Sequence, residues 1–263
     1  MSTTPPVKKA SEAKGKTEKP TKKSMKKPNK PARQKKAVKK SSKSPAKKRL
    51  PRSKLTKAQI EAMFFRFQQA CPEPKGELNH VNPYTLLVAV ALSAQATDVG
   101  VNKATRALFE KVTTPEQMVA LGEEKLIEHI RTIGLYRTKA KNVMALSHML
   151  IDEFGGKVPQ TREELVKLPG VGRKTANVVL NMAFGQPTIA VDTHIFRVSN
   201  RTGLAPGKTP DAVEKLLERV VPPAYRLHAH HWLILHGRYV CKARKPDCTN
   251  CLIEDLCKYK DKI

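Results

Sequence analysis

Two glycines between two helical patterns constrain this chain more than any other feature. The segment 168–179 reads LPGVGRKTANVV, and its Gly170 and Gly172 permit close backbone approaches that a side chain would block. One helix precedes the glycines and another is expected to begin near Arg173, which predicts a helix–hairpin–helix. The unpaired N–H groups at the start of the second helix favour a phosphate. A DNA backbone phosphate, bound without regard to base sequence, is the expected ligand.

The same segment must be compared with a nucleotide-binding P-loop, because it reads G-x-G-x-K-T. The P-loop pattern requires a glycine directly before the lysine, and this chain has Arg173 before Lys174. No buried apolar strand precedes the glycines either. The nucleotide-binding interpretation is therefore rejected.

The predicted fold class is all-α, with about ten helices joined by short loops. Helix starts are indicated where Thr or Asn precedes a proline or stands three residues before Gln or Glu. These signals stand at Asn82-Pro83, at Thr114-Pro115, at Thr161 with a capping box, and at Thr209-Pro210. The helix after Thr161 is expected to run to about Lys167. We find no run of alternating strands.

Charge divides the chain at about residue 54. Residues 1–54 hold 21 Lys and Arg against two Glu, and the remainder holds 29 basic against 21 acidic residues. The first block has no aromatic residue and cannot bury enough apolar surface to order itself, so a disordered Lys-rich arm is expected. A mitochondrial transit peptide is a weaker alternative, since the block lacks an amphipathic face. Both parts of the chain are basic, which predicts a polyanionic partner.

Four of the five cysteines lie close together near the C-terminus. They are separated by six, two and five residues, at Cys241, Cys248, Cys251 and Cys257. The first 30 residues contain no apolar run typical of a secretory signal, so a reducing compartment and metal ligation are expected rather than disulfides. The spacing alone leaves a zinc site and an iron–sulfur cluster open. The longest apolar run, Leu86–Leu92, is too short to span a membrane.

Two segments resemble the endonuclease III family of DNA repair enzymes: LPGVGRKTANVV, and GQPTIAVDTH at 185–194. The resemblance runs from about Leu55 to the C-terminus. It implies two helical lobes with the DNA site between them, one a six-helix lobe of residues 76–186 and the other built from 55–75 and 187–263. It also implies that the four cysteines of the loop 241–257 hold a 4Fe–4S cluster.

The chemistry of base removal agrees with two residues at the positions that the family uses. Lys174 is expected to attack the sugar carbon as the base leaves, giving a Schiff base from which the 3′ phosphate is eliminated. Asp192 is expected to stabilise the positive charge that develops on the sugar. A lone Asp at this point is also typical of a helix N-cap, and Asp192 can serve both purposes.

The resemblance also implies the residues that contact DNA. An enzyme that cleaves a glycosidic bond must turn the nucleotide out of the stack, and Gln95 and Leu135 match the residues that fill the gap. Further DNA contacts are expected at Gly170, Gly172, Arg173, Thr175 and Lys245, and lesion-pocket contacts at Asp98 and His194.

Two other features receive structural interpretations. The run His228-Ala229-His230-His231-Trp232 is interpreted as helix packing with exposed histidines, because no pattern of metal ligands accompanies it. Cys71 lies outside the cysteine pattern, and a buried core thiol is expected.

The sequence therefore predicts a bifunctional DNA glycosylase and abasic-site lyase that acts on oxidised pyrimidines in double-stranded DNA. It is expected to be a monomer in the bacterial cytoplasm, associated with the nucleoid and not with a membrane. A monofunctional mismatch glycosylase of the same fold is one alternative, and Lys174 argues against it. A non-catalytic DNA-binding protein is another, and it would leave the pair Lys174 and Asp192 without a purpose.

Overall fold

The computed structural model describes residues 52–262, and the predicted arm lies almost entirely outside this range. The described residues contain no β-strand, which confirms the all-α fold class. Residues 52–262 form eleven α-helices, and a 3₁₀ turn at Pro223–Tyr225 leads into the last of them. In chain order the α-helices are α1 Lys57–Ala70, α2 Pro83–Leu92, α3 Asp98–Phe109, α4 Pro115–Leu121, α5 Glu123–Ile130, α6 Tyr136–Phe154, α7 Arg162–Leu165, α8 Arg173–Phe184, α9 Thr193–Thr202, α10 Pro210–Val220 and α11 Arg226–Tyr239.

The helices pack around two hydrophobic cores, and so form two lobes. The first core draws its buried residues from α2 to α8. Helix α2 is buried along almost its whole length in this core. The second core is built from α1 and α9 to α11, together with Ile253 and Leu256 near the C-terminus. The chain therefore leaves the second lobe after α1 and returns to it after α8. No helix within 52–262 has the length and apolar character needed to cross a membrane.

The helix starts follow the local signals in the sequence. Full capping boxes are present at Thr56, Asn82 and Thr114, and Thr209 caps α10. At Thr161 the hydroxyl accepts from the Glu164 backbone N–H, but the Glu164 carboxylate bonds to that hydroxyl and not to the backbone of Thr161. The start of α7 is thus capped without the predicted box.

Two expectations about helix ends and burial are wrong. Helix α7 ends at Leu165, two residues before the expected end near Lys167, because the N–H groups of Lys167 and Leu168 bond to carbonyls three residues back and not four. Cys71 is exposed at the C-terminal end of α1. Its carbonyl oxygen accepts a hydrogen bond of 2.7 Å from the Trp232 indole, so its backbone contacts the second core while its thiol does not.

Candidate active-site cleft and cysteine pocket

A cleft of about 450 Å³ is lined by residues of both lobes. The starts of α3, α8 and α9, the end of α2 and one side of α11 reach it. Six of the residues predicted from the sequence line this cleft: Gln95, Asp98, Lys174, Thr175, Asp192 and His194. The fold therefore brings into one place residues that are far apart along the chain.

The start of α8 is left open by the hairpin. Gly172 is its N-cap, and no side chain among residues 52–262 caps its first N–H groups. Gly170 has a φ of 78°, and a Cβ there would lie 3.0 Å from the Asn142 side chain, so this position requires glycine. Gly172 has an ordinary extended backbone, and a Cβ there would meet no atom within 4 Å. The second glycine thus leaves free space in front of the helix, where a phosphate can approach.

Lys174 and Arg173 follow each other at the start of α8 but differ in their surroundings. Lys174 is exposed and lines the cleft. The guanidinium of Arg173 instead bonds to the carboxylate of Glu214 in α10, with an Nη2–Oε1 distance of 2.6 Å. The family role implied for Arg173, a contact with DNA, must therefore be weighed against this ion pair.

Asp192 is held in place by the helix that it starts. Its Oδ1 accepts from the Ile195 backbone N–H at 2.8 Å, so it is the N-cap of α9, as the sequence suggested. The carboxylate is half-buried and lines the cleft on the side of the second lobe. The cap holds Oδ1 of Asp192 in place. Its Oδ2 accepts none of the hydrogen bonds found within 52–262.

A second carboxylate, that of Asp98, lies near Lys174 and Asp192. Burial raises the pKa of Asp98, the positive charge of Lys174 opposes that rise, and the carboxylate of Asp192 adds to it. Arg238 of α11 pairs with Asp98 at 2.6 Å and also with Glu77. Arg238 therefore joins α11 of the second lobe to the start of α3 beside the cleft. Neither Arg238 nor Glu77 was singled out from the sequence, because the pairing joins distant segments.

Three residues other than glycine have a left-handed backbone among residues 52–262. They are Gln95, Leu135 and Lys245, with φ of 55°, 58° and 50°. All three are exposed, and all three were predicted to contact DNA. Backbone strain of this kind costs free energy and tends to be retained at functional sites. The observation is independent of the resemblance and points to the same residues.

The interpretation of the histidine run is wrong in one respect, because His230 and His231 are buried. Both line the floor of the cleft. Burial lowers the pKa of His230 to about 3, with His231 and Lys174 adding to the effect, and burial lowers the pKa of His231 to about 4. Seven of the fourteen residues of α11 are buried, and a histidine run alone does not reveal which ones.

The four C-terminal cysteines surround a second, smaller pocket. All four thiols are free of disulfides, and all line this pocket. Burial and the neighbouring thiols raise the pKa of Cys251 to about 11. Arg201 lies 3.7 Å from the sulfur of Cys241, and a ring nitrogen of His236 lies 3.7 Å from that of Cys251. Within 52–262, no three His, Cys, Asp or Glu side chains are arranged to hold a single metal ion.

Comparisons with known proteins agree with this geometry. The family model of the HhH-GPD superfamily of base excision DNA repair proteins matches residues 88–223. Endonuclease III of Treponema pallidum is 59% identical over 198 residues, which cover 75% of this chain and 94% of that protein. Endonuclease III of Escherichia coli K12 is 55% identical over 209 residues, covering 80% of this chain and 99% of that protein.

Solved structures give the same result. A trapped covalent intermediate of endonuclease III with DNA matches with a TM-score of 0.72 and 50% identity, over 78% of this chain and 96% of that chain. A thermostable thymine-DNA glycosylase matches with a TM-score of 0.68 and 26% identity, over 77% of this chain and 95% of that chain.

Proposed function

Because the chain belongs to the HhH-GPD superfamily of base excision DNA repair proteins, and within it to the endonuclease III family, we propose that it excises oxidised pyrimidines from duplex DNA and then cleaves the strand at the abasic site. The observation that carries this proposal is the cleft that both Lys174, in the first lobe, and Asp192, in the second, line. Solved relatives bound to DNA support duplex DNA as the partner. The family's members in bacteria support action on the bacterial chromosome in the cytoplasm, and we propose a monomer.

The reaction assigns one task to each residue. The Nζ of Lys174 forms a bond to C1′ of the sugar as the glycosidic bond breaks, and the base leaves with the bonding electron pair and takes up a proton. Asp192 stabilises the positive charge on the sugar during this step. The nitrogen of the adduct then loses a proton, the C1′–O4′ bond breaks, and O4′ takes up a proton, so that the sugar ring opens and an imine forms. The imine makes the C2′ proton acidic, and loss of that proton expels the 3′ phosphate and nicks the strand.

The remaining predicted residues handle the DNA. The open start of α8, with Gly170, Gly172 and Thr175, is proposed to bind a backbone phosphate. Gln95 and Leu135 are proposed to enter the space left by the extruded nucleotide. Lys245, in the exposed loop between the first two cysteines, is proposed as a second phosphate contact.

Asp98 and His194 are proposed to line the pocket for the damaged base. Asp98 lines the cleft and pairs with Arg238, and His194, which also lines it, follows Asp192 by two residues. The raised pKa of Asp98 follows first from its burial.

The cysteine pocket is proposed to hold a 4Fe–4S cluster. In such a cluster each thiolate binds a different iron, which agrees with four cysteines around one pocket. Cys241, Cys248, Cys251 and Cys257 would be the ligands, and the bound cluster would fix the shape of the loop that carries Lys245.

Borohydride trapping on a duplex with one oxidised thymine tests the proposal. The protein should give a covalent protein–DNA band, and Lys174→Ala should abolish it, with a loss on the order of 10³-fold or more. Lys208→Ala, which removes an exposed lysine outside the cleft, is the matched control and should behave as wild type. Base loss without a band would place the chain with the monofunctional glycosylases. The absence of both base loss and a band would refute the proposal.

A further inference from the structure

An ion pair joins the catalytic helix to the second lobe. Arg173 of α8 donates to Oε1 of Glu214 in α10 through Nη2 at 2.6 Å and through Nε at 3.1 Å. Asn177, one turn further along α8, donates to the same oxygen through Nδ2 at 3.2 Å. One carboxylate of the second lobe therefore holds two successive turns of the helix that carries Lys174.

The carboxylate in this ion pair is buried, and other acidic residues of α10 lie near it. Glu214 is only 5% exposed, so its charge depends on these donors and is little screened by water. The hydrogen bond that Arg173 donates to Glu214 raises the pKa of Arg173, and the negative charges of Glu218 and Asp211 in the same helix act in the same sense. Glu218 also faces Arg162 of α7, at 3.9 Å. Helix α10 thus presents acidic side chains to both helices of the hairpin.

The same face of α8 makes a third contact of this type. Asn181 lies one further turn along and donates through Nδ2 to the backbone oxygens of Thr188 and Leu227, at 3.2 and 3.0 Å. Thr188 in turn donates to the Asn177 carbonyl at 2.6 Å and belongs to the loop that leads to Asp192. Polar side chains at intervals of four residues therefore fix α8 against the second lobe and against this loop.

Lys174 is next to Arg173 in sequence and Asp192 is on the other lobe, so this row of contacts sets their separation. We propose that Glu214 is a positioning residue, which holds Arg173 and Asn177 and so places the Lys174 amine opposite Asp192 for attack on the sugar. This inference rests on the function proposed above. It assigns Arg173 to the link between the lobes in place of a DNA phosphate.

The two roles of Arg173 make opposite predictions for Arg173→Lys. A lysine keeps the positive charge that a phosphate needs, but it cannot present the two-donor fork that Glu214 receives. The test measures borohydride trapping on a duplex with a preformed abasic site, with protein in saturating excess. In parallel it measures duplex affinity at several salt concentrations.

Under the proposal, Arg173→Lys and Glu214→Gln each slow trapping about tenfold or more at saturation, because small misplacements of a reacting group cost that much. Duplex affinity and its salt dependence stay those of wild type. The double variant is no slower than the slower single variant, because both remove one contact. Asp211→Asn removes a negative charge from the same helix without breaking a bond to Arg173, and it should trap at the wild-type rate.

Three results would overturn the proposal. One is an unchanged trapping rate in Glu214→Gln. Another is normal trapping in Arg173→Lys together with a salt slope reduced by about one in Arg173→Gln, which would assign Arg173 to a phosphate. The third is slow trapping that disappears when the protein concentration is raised further, which would indicate weaker binding only. If Glu214→Gln fails to fold, Arg173→Lys carries the test, since Arg173 is half-exposed. A wild-type protein that does not trap would refute the proposed function itself, and this outcome is separate from any difference between variants.

Discussion

The starts of α8 and α9 carry the two residues assigned to the chemistry, yet they are built in opposite ways. The start of α8 has Gly172 as its N-cap and no side chain that accepts from its first N–H groups. The start of α9 has Asp192, whose carboxylate accepts from the helix itself. An uncapped start offers its N–H groups to a ligand, whereas a capped start uses them to immobilise a carboxylate. The start of α8 thus offers a site for an anion in the first lobe, whereas the start of α9 holds the carboxylate of Asp192 in the second lobe.

The other helix starts show that this difference is not general. Seven α-helices within 52–262 are capped by the side chain of a Thr, Asn or Asp. The start of α6 resembles that of α8, because Leu135 is its N-cap and provides no acceptor. Both α6 and α8 begin where the sequence predicts contact with DNA. Within 52–262, α5 and α11 also begin without a side-chain cap, so a missing cap alone does not identify a helix start that contacts DNA.

Asp192→Asn separates the two purposes of the capped start and should have the largest effect. Asn caps helices about as well as Asp, so the free energy of unfolding should hardly change. Loss of the charge should slow base excision about 10²- to 10³-fold, which is the range for removing one group that stabilises a transition-state charge. Single-turnover excision and urea unfolding provide the measurements. Asp192→Ala should lose about 1 kcal/mol of stability in addition, and full activity in the Asn variant would refute the electrostatic role.

His230 lines the cleft that the starts of α8 and α9 also line, and it should make the free energy of unfolding depend on pH. His230 has a pKa of about 3 in the folded protein and an ordinary value of 6.5 when unfolded. The unfolded chain therefore binds a proton between these values that the folded protein does not. The stabilisation is complete above pH 6.5 and is lost as the pH falls towards 3, by about 2 kcal/mol between pH 7 and 5. Helix α11 should thus loosen beside Lys174 in mild acid.

Urea unfolding at pH 7 and pH 5 measures this loss. His230→Gln should remove about one proton from the difference between the folded and unfolded states, so its stability should fall less on acidification than that of wild type. His148→Gln, which replaces an exposed histidine of α6, is the control and should keep the wild-type pH dependence. Equal slopes in wild type and His230→Gln would contradict a buried neutral imidazole.

Gly172→Asp converts the open start of α8 into a capped one. The new Cβ meets no atom within 4 Å, so the fold should tolerate the change and gain a few tenths of a kcal/mol. The carboxylate should occupy the N–H groups and repel a phosphate, weakening duplex binding about tenfold at low salt. Gly172→Ser caps the helix without a charge and should weaken binding less. Wild-type affinity in the Asp variant would show that the hairpin does not bind phosphate.

Local chemistry explains which parts of this comparison could be read from the sequence. The caps at Asn82, Thr114 and Thr209 depend on residues within one helical turn, and all three form as predicted. The helix–hairpin–helix was equally local. The resemblance supplied Lys174 and Asp192, and the fold places both in one cleft.

Contacts between the lobes could not be read in the same way. The bond from Arg173 to Glu214 spans 41 residues, and no motif records which acidic residue of α10 turns inward. The burial of His230 likewise depends on how α11 packs against both lobes, which the order of residues within α11 does not reveal. Cys71 was misjudged for the related reason that a thiol at a helix end can point either way.

Leu135→Gly tests the uncapped start of α6, where backbone strain can be separated from contact with DNA. Leu135 has a φ of 58° and its side chain is 59% exposed, so glycine would relieve backbone strain while removing little packing. The melting temperature should rise, corresponding to about 1 kcal/mol, whereas excision should slow because nothing fills the gap in the duplex. Val166→Gly, at an exposed position with an ordinary helical backbone, should instead lower the melting temperature. A rise with full activity would mean that the strain at Leu135 serves no contact with DNA. A fall would mean that the leucine is held by packing, and the likeness between the starts of α6 and α8 would then be accidental.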